Sequence, residues 1–211
     1  MPLIEDLTQG PVPAGSMLLV EFSEASQWYN AALTIAAGWL KDGGRLGVNC
    51  EENERSDNLR IWDWYTATLG KKSDEKYAYD SLKAADLSLR VAKEDMRESP
   101  QPEWLRMIEN ASTWYRFNDE KAAMELELTR FIPSLRLRKS TTIRAMLKDT
   151  HSNWLCQQLE GVHDGIIDLK LDETADPAQN MLRIRSMRNV GFDGRWHRLK
   201  IKENFEVILE K

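Results

Sequence analysis

The pattern of apolar and polar positions predicts a strand, a turn, a helix and a second strand within the first fifty residues. Continuous apolar runs, which are typical of strands buried on both faces, occupy 17–22 and 45–50. The glycines of 42–44 favour the end of a helix, because glycine readily takes the left-handed cap conformation. The apolar residues that recur at helical spacing before this end are Ala25, Trp28, Ala32, Ile35 and Trp39.

The next fifty residues are predicted to be helical. Ser56 is a candidate cap for a helix that carries Leu59 and Trp62 on one side. A second helical stripe runs over 82–96, and the two prolines within 99–102 end it. This region therefore extends the alternation of strands and helices.

The second half of the chain predicts three more strands, a divided helix and a strand-rich tail. The strands fall within 103–112, 140–147 and 162–172. Between the first two, a helix capped by Asn118 is expected to kink or divide at Pro133. The tail reads as three short strands joined by turns, NMLRIRSMR, GRWHRLKIK and FEVILEK. The whole pattern predicts an α/β fold with a mostly parallel sheet, helices on both faces and an antiparallel C-terminal edge.

Composition narrows the class of protein. A length of 211 residues predicts a single domain, 1–211. The chain has 34 acidic and 29 basic residues, and its net charge of −5 argues against a generally basic nucleic-acid binder. Cys50 and Cys156 lack the spacing of a metal site or a disulfide framework. The first ten residues lack the features of a signal peptide, and the apolar run in 31–40 is too short to span a bilayer. We therefore expect a cytoplasmic protein without membrane contact.

The turn after the first strand, SEASQWYN, is the first place to look for a ligand. In open α/β sheets, ligands bind beyond the carboxyl ends of the strands. A phosphate-binding (Walker A) loop there has the form G-x-x-x-x-G-K-[ST]. In this chain the two glycine positions hold Phe22 and Gln27, the lysine position holds Trp28, and the Ser/Thr position holds Tyr29. We do not expect such a turn to hold a triphosphate in the usual way. By itself it is also compatible with an ordinary strand–helix turn in an unrelated α/β protein.

Successive blocks over nearly the whole chain resemble the KaiC-like branch of the RecA ATPases, the archaeal members most closely. The blocks are GSMLLVEF, RLGVNCEEN, WLRMIENAS, FNDEKAA, LEGVHDGIIDLKLDE and MLRIRSMRNVGFDGRWHRLKI. The resemblance implies a RecA-like three-layer core with a twisted, mostly parallel sheet. It also implies assembly into rings or filaments, with ATP bound between neighbouring subunits. The degenerate phosphate loop is the main departure from the family.

The resemblance also assigns relic positions outside the loop. Glu109 falls where the family has its metal-organising aspartate, and the alternative is a helix cap or an ion pair. Glu51 and Glu52 fall on the acidic pair that includes the family's water-activating glutamate, and the alternative is a solvated loop. Arg188 is what remains of a trans-acting Lys-x-Arg pair, and the alternative is a surface ion pair.

Three functions compete on this basis. The favoured one is a non-catalytic pseudo-ATPase that has lost ATP hydrolysis and acts through protein contacts as a regulatory or accessory subunit. Its partner would be a second copy or an active KaiC-like paralogue. No cofactor and no metal are expected, although weak Mg-ATP binding stays open. The alternatives are an ATPase with an unconventional loop and a DNA-binding recombination accessory protein, for which the single lysine of 148–154 is a weak signal.

A structural hypothesis follows for the turn itself. Trp28 lies on the apolar stripe of the first helix, and an indole in the first helical turn buries a large apolar area when it folds inward. We expect Trp28, with Phe22 or Tyr29 beside it, to fill the space that a nucleotide would need.

Overall fold

The computed structural model describes residues 1–49, 59–61, 66, 71, 83 and 104–210. Within these ranges the chain forms a nine-stranded sheet with the strand order β3-β2-β4-β5-β1-β6-β7-β8-β9. The strands are β1 (Met17–Phe22), β2 (Arg45–Asn49), β3 (Leu59–Ile61), β4 (Trp104–Ile108), β5 (Thr141–Leu147), β6 (Gly165–Asp172), β7 (Gln179–Met187), β8 (His197–Ile201) and β9 (Val207–Glu210).

Helices follow several of the strands. They are α1 (Trp28–Lys41), α2 (Ser112–Arg116), α3 (Glu120–Leu126), α4 (Ile132–Arg138) and α5 (Asn153–Val162), with a 3₁₀ turn at Glu5–Leu7. No helix in the described ranges combines the length and the apolar character that a membrane span requires.

The sheet is parallel in its first part and antiparallel at its C-terminal edge. β1 pairs in parallel with β5 on one side and with β6 on the other, in a register that sets Met17 beside Thr142 and Leu18 beside Gly165. β4 and β2 continue the parallel part, and β7, β8 and β9 form an antiparallel meander. This arrangement confirms the predicted fold class.

Two apolar cores lie on opposite faces of the sheet, because successive side chains of a strand point to opposite faces. Leu18 and Val20 of β1 pack in the core that includes α1, whereas Met17 and Leu19 pack in the core that includes α2 to α5. Both sets of β1 side chains are almost completely buried. The result is a three-layer arrangement with β1 at its centre.

The segment from α3 to α4 is divided, as the proline predicted. The side chain of Asp119, one residue after the expected cap Asn118, accepts a hydrogen bond from the N–H of Ala122 and starts α3. A π-helical turn, Glu127–Phe131, separates α3 from α4, and Pro133 stands in the first turn of α4. Proline removes one helical hydrogen bond and crowds the preceding turn. The preceding turn is widened to the π-helical form, and this divides the segment.

The π-helical turn carries a buried ionic cluster. Glu127 forms an ion pair with Arg144 of β5, and both side chains are completely buried. The hydroxyl of Tyr115 donates a second hydrogen bond to Glu127 at 2.7 Å. The guanidinium of Arg144 also lies over the ring of Phe131, 5.3 Å from its centroid. This cluster joins α2, the π-helical turn and β5 on one face of the sheet.

The helix predicted after Ser56 is wrong at its start, although Thr66 farther along is helical. Leu59 was expected on a helix capped by Ser56, but Leu59–Ile61 is strand β3, paired in parallel with β2 at Leu46 to Val48. Pairing with the edge of β2 overrides the local helical spacing here. Ser56 and the helical stripe of 82–96 lie outside the described residues.

Candidate functional site

The turn between β1 and α1 is filled by the side chain of Trp28. This residue is the first of α1 and is only 4% exposed. Its indole Nε1–H donates a 2.8 Å hydrogen bond to the carbonyl oxygen of Glu109, which directly follows β4. The indole also stacks on Phe22, with the ring centroids 6.1 Å apart and the planes at 25°. The ring therefore bridges the start of α1, the end of β1 and the end of β4.

The backbone of the same turn is tied to the neighbouring strands. The N–H of Ser23 donates to the carbonyl of Leu169 at 3.0 Å, and the N–H of Ser26 donates back to the carbonyl of Ser23 at 2.9 Å. The N–H of Gln27 donates to Oδ1 of Asn180 at 2.9 Å. In the other direction, the Oγ of Ser23 accepts from the N–H of Leu171 at 3.2 Å. The N–H groups of Ser23 and Gln27 thus point at acceptors on β6 and β7, and the N–H of Ser26 points at an acceptor within the turn.

The structure brings together some of the residues that the sequence singled out. Phe22, Trp28 and Glu109 meet at one point, with Glu109 half-buried. The side chain of Gln27 accepts a 2.7 Å hydrogen bond from the amide of Asn30, and Tyr29 is 54% exposed. The aromatic neighbour of Trp28 is thus Phe22.

Glu51 and Glu52 lie outside the described residues. Within the described ranges, no group of three or more histidine, cysteine, aspartate and glutamate side chains has an arrangement that suits a metal ion.

Arg188 lies at the end of the sheet opposite the turn, near the start of β1. Its Nη2 donates to the carbonyl of Gly161 at 3.2 Å, and its Nη1 is 3.8 Å from Oδ1 of Asp164. The backbone N–H of Asp164 donates a 2.7 Å hydrogen bond to the carbonyl of Met17, at the start of β1. β1 is six residues long, so about 17 Å of strand separates the two ends. Within one chain, Arg188 is therefore remote from Trp28 and Glu109.

A second arginine shares the environment of Arg188. Nη2 of Arg136 donates to the carbonyl of Val162 at 2.9 Å and lies 3.4 Å from Oδ1 of Asp164. Both guanidinium groups thus sit at the C-terminus of α5, where cations are favourable to the helix dipole. The side chain of Arg188 is 53% exposed, so its contact with Asp164 is a surface ion pair within the chain. A surface ion pair was the alternative to a trans-acting role for Arg188 in the sequence analysis.

A network of charged side chains under the turn was missed at the sequence level. Asp168 of β6 accepts from Nζ of Lys148 at 2.9 Å and from Nε of Arg183 at 2.8 Å. Glu21 of β1 accepts from Nη2 of Arg185 at 2.8 Å. Part of the signal was present, because Glu21 interrupts an otherwise apolar strand, and the register places it beside Asp168 of β6.

The two carboxyl groups of this network respond to it in opposite ways. Burial raises the pKa of Glu21 above its ordinary value, although Arg185 opposes the shift. Burial acts in the same direction on Asp168, but hydrogen bonds from Lys148 and Arg183 outweigh it and lower the pKa of Asp168. Asp168 is therefore the ionised centre of the network, with a side chain only 1% exposed.

Comparison with known proteins gives a structural likeness alone. No family model and no curated protein matches the sequence. A KaiC-like protein from the hyperthermophilic archaeon Pyrococcus horikoshii OT3 superposes with a TM-score of 0.66 at 16% identity, covering 100% of this chain and 96% of that one. The flagellar accessory protein FlaH from Methanocaldococcus jannaschii superposes with a TM-score of 0.73 at 11% identity, covering 99% and 95% of the two chains. The protein thus has the RecA-like fold of KaiC-like proteins, which confirms the fold that the sequence blocks predicted.

Proposed function

We propose that this protein is a non-catalytic member of the RecA-like fold that acts through protein contacts, as a regulatory or accessory subunit. One observation carries the proposal: the side chain at the lysine position of a phosphate-binding loop is a buried indole, bonded to the carbonyl of Glu109. A lysine there would reach the β- and γ-phosphates. Trp28 offers no positive charge, and its ring fills the space between the ends of β1 and β4.

The residues of the turn do not fit ATP and magnesium. A phosphate cradle needs backbone N–H groups that converge on one anion, which glycines permit. The N–H groups of Ser23, Ser26 and Gln27 instead donate to acceptors within the protein. Tyr29, at the position of the magnesium-binding Ser or Thr, carries a phenol at the surface. We therefore assign no catalytic step to this site.

The partner on this proposal is a second copy of the chain or an active KaiC-like protein. Arg188 lies at the end of the sheet opposite its own turn, so the nucleotide that it would approach is one held by a neighbouring active KaiC-like subunit. The name of FlaH, a flagellar accessory protein, offers an analogy for an accessory role on the same fold. Arg188 already caps α5, and release from Gly161 and Asp164 would precede any contact with a neighbour.

The test is calorimetric titration with Mg-ATP and Mg-ADP, beside an assay of phosphate release. Micromolar affinity corresponds to about −8 kcal/mol, and much of that in a phosphate-loop protein comes from groups that this turn lacks. We expect no saturable binding below millimolar nucleotide and no hydrolysis above background. Saturable micromolar binding would contradict the proposal and favour an ATPase with an unconventional loop.

The size of the assembly is the second measurement. Light scattering of the purified chain, with and without Mg-ATP, is expected to give a dimer or larger oligomer whose mass does not change with nucleotide. Assembly that requires ATP would contradict a nucleotide-independent role. A monomer that also fails to associate with an active KaiC-like protein would contradict the proposed mode of action.

A further inference from the structure

An exposed apolar surface lies on the side of α1 that faces away from the core. Leu33 and Ala37 are four residues apart, so they share one face of the helix, and both are exposed. Phe205, in the turn between β8 and β9, borders the same groove, whose volume is about 710 Å³. Leu33 is 49% exposed and Phe205 is 72% exposed. We call Leu33, Ala37 and Phe205 the α1 patch.

The backbone of Phe205 is unfavourable for its residue type. Its φ is +63°, in the left-handed region that glycine and asparagine tolerate and that is uncommon for bulky side chains. The turn holds this conformation through two 2.9 Å hydrogen bonds, from the N–H of Lys202 to the carbonyl of Glu206 and from the N–H of Phe205 to the carbonyl of Lys202. Because the ring is mostly exposed, its burial in this chain offsets little of the strain. Strain at an exposed aromatic residue points to a contact outside the chain.

The groove is predominantly acidic. Its charged lining groups are four carboxylates, of Glu5, Asp6, Asp42 and Glu206, against two cations, Lys41 and the N-terminal ammonium of Met1. Glu5 is paired with the N-terminal ammonium and Glu206 with Lys202. Asp42 is exposed at the C-terminal end of α1, where a negative charge adds to the negative end of the helix dipole. With Glu5 and Glu206 already paired, the negative charge that a partner meets beside the α1 patch is mainly that of the exposed carboxylates Asp6 and Asp42.

We propose that the α1 patch binds an amphipathic helix of a partner protein, with an apolar stripe flanked by lysine or arginine. A helix laid in a groove presents apolar anchors at i, i+3 or i+4, and i+7. Leu33, Ala37 and Phe205 supply the apolar contact, and basic residues beside the stripe match the carboxylates of the groove. The inference goes beyond the proposed function by naming a surface and the chemistry of its partner. It does not depend on whether the turn after β1 binds nucleotide.

The experiment is a selection of displayed peptides on the immobilised, intact protein. We expect enrichment of sequences with apolar residues at helical spacing and flanking Lys or Arg. The best of these, made as a labelled synthetic peptide, is then titrated by fluorescence anisotropy. Its affinity is expected to fall at least tenfold for Leu33→Gln and for Phe205→Asn. Leu137→Gln is the matched control, because Leu137 is 79% exposed but belongs to α4 on the other face of the sheet.

The variant Phe205→Asn separates loss of binding from loss of folding. Asparagine suits the left-handed conformation, so its unfolding midpoint is expected to equal or exceed that of the wild type. A peptide of the same composition without helical periodicity, and one with glutamate in place of the basic residues, are both expected not to bind.

Four results would overturn the inference. The first is selection of peptides that lack the basic, helical pattern. The second is peptide binding by the Phe205 and Leu33 variants with wild-type affinity, and the third is binding of the acidic peptide as tight as that of the basic one. The fourth is self-association of the protein that these two substitutions abolish. The last result would assign the α1 patch to a second copy of the chain. Micromolar Mg-ATP binding would contradict only the proposed function, since it leaves the dependence of peptide binding on the α1 patch unchanged.

Discussion

Replacement of Trp28 by alanine is expected to destabilise the fold strongly. The indole is 4% exposed, and removing a buried tryptophan or phenylalanine side chain costs about 3–5 kcal/mol. The lost hydrogen bond to the carbonyl of Glu109 accounts for about 1 kcal/mol of this. For a chain of this size, each kcal/mol lowers the thermal midpoint by about 2–4 °C, so a loss of about 4 kcal/mol corresponds to roughly 8–16 °C.

The assay is urea unfolding followed by circular dichroism, with a thermal scan as a second measure. Trp28→Phe keeps an aromatic ring but removes the N–H donor, so it is expected to lose about 1–2 kcal/mol. Trp154→Ala is the surface control, because Trp154 is 40% exposed, and it is expected to cost less than about 1 kcal/mol. The packing argument is refuted if Trp28→Ala and Trp154→Ala have the same free energy of unfolding with unchanged denaturant slopes.

Three further predictions concern charged groups. Asp168→Asn is expected to lower the free energy of unfolding by about 2–4 kcal/mol at pH 7, because hydrogen bonds from two cations weaken. The folded pKa of Asp168 is depressed, so the difference from wild type should shrink as the pH falls below about 4, and a constant difference in urea titrations would contradict this. Burial and the charge of Arg144 lower the pKa of His163 to about 3, so the unfolded chain takes up its proton first as the pH falls. Stability should therefore drop by about 2 kcal/mol between pH 7 and pH 5, and His163→Leu should remove that drop. In a complex with an active KaiC-like protein, Arg188→Ala should lower the partner's turnover by about 10³-fold while Arg136→Ala does not, and unchanged turnover in a confirmed complex would exclude Arg188 from the reaction.

The sequence predicted the central strands well and the edge of the sheet poorly. β1 is almost completely buried and appears as an apolar run that only Glu21 interrupts. β5 begins with β-branched residues and β6 carries two isoleucines near its start, and turn signals bound both strands. Leu59–Ile61 has only three residues and one described neighbour, β2. Its strand conformation depends on pairing with β2, which no local periodicity encodes.

At the candidate site, the sequence predicted that Trp28 folds inward beside Phe22 or Tyr29, and the structure shows it stacked on Phe22. The loss of nucleotide binding stays a prediction. The residue types at Phe22, Gln27, Trp28 and Tyr29 were enough to argue that a phosphate loop is missing. The hydrogen bond from Trp28 to Glu109 joins residues 81 positions apart, and the distant position of Arg188 depends on how β7 folds back on β6. Both follow from the topology of the sheet. Sequence patterns alone do not supply such relations between distant segments.

The central place of β1 also has a consequence for how the protein is made. β1 is synthesised before every other described strand, yet its two neighbours are β5 and β6, so Met17 waits for Thr142, about 125 residues later. At synthesis rates of 5–20 residues per second, that interval lasts about 6–25 s. Throughout it, an apolar strand has neither of its final partners. Such a nascent chain exposes a sequence prone to pair with other chains, so we expect its yield in the cell to depend on chaperones that cover β1 until the middle of the sheet has been synthesised.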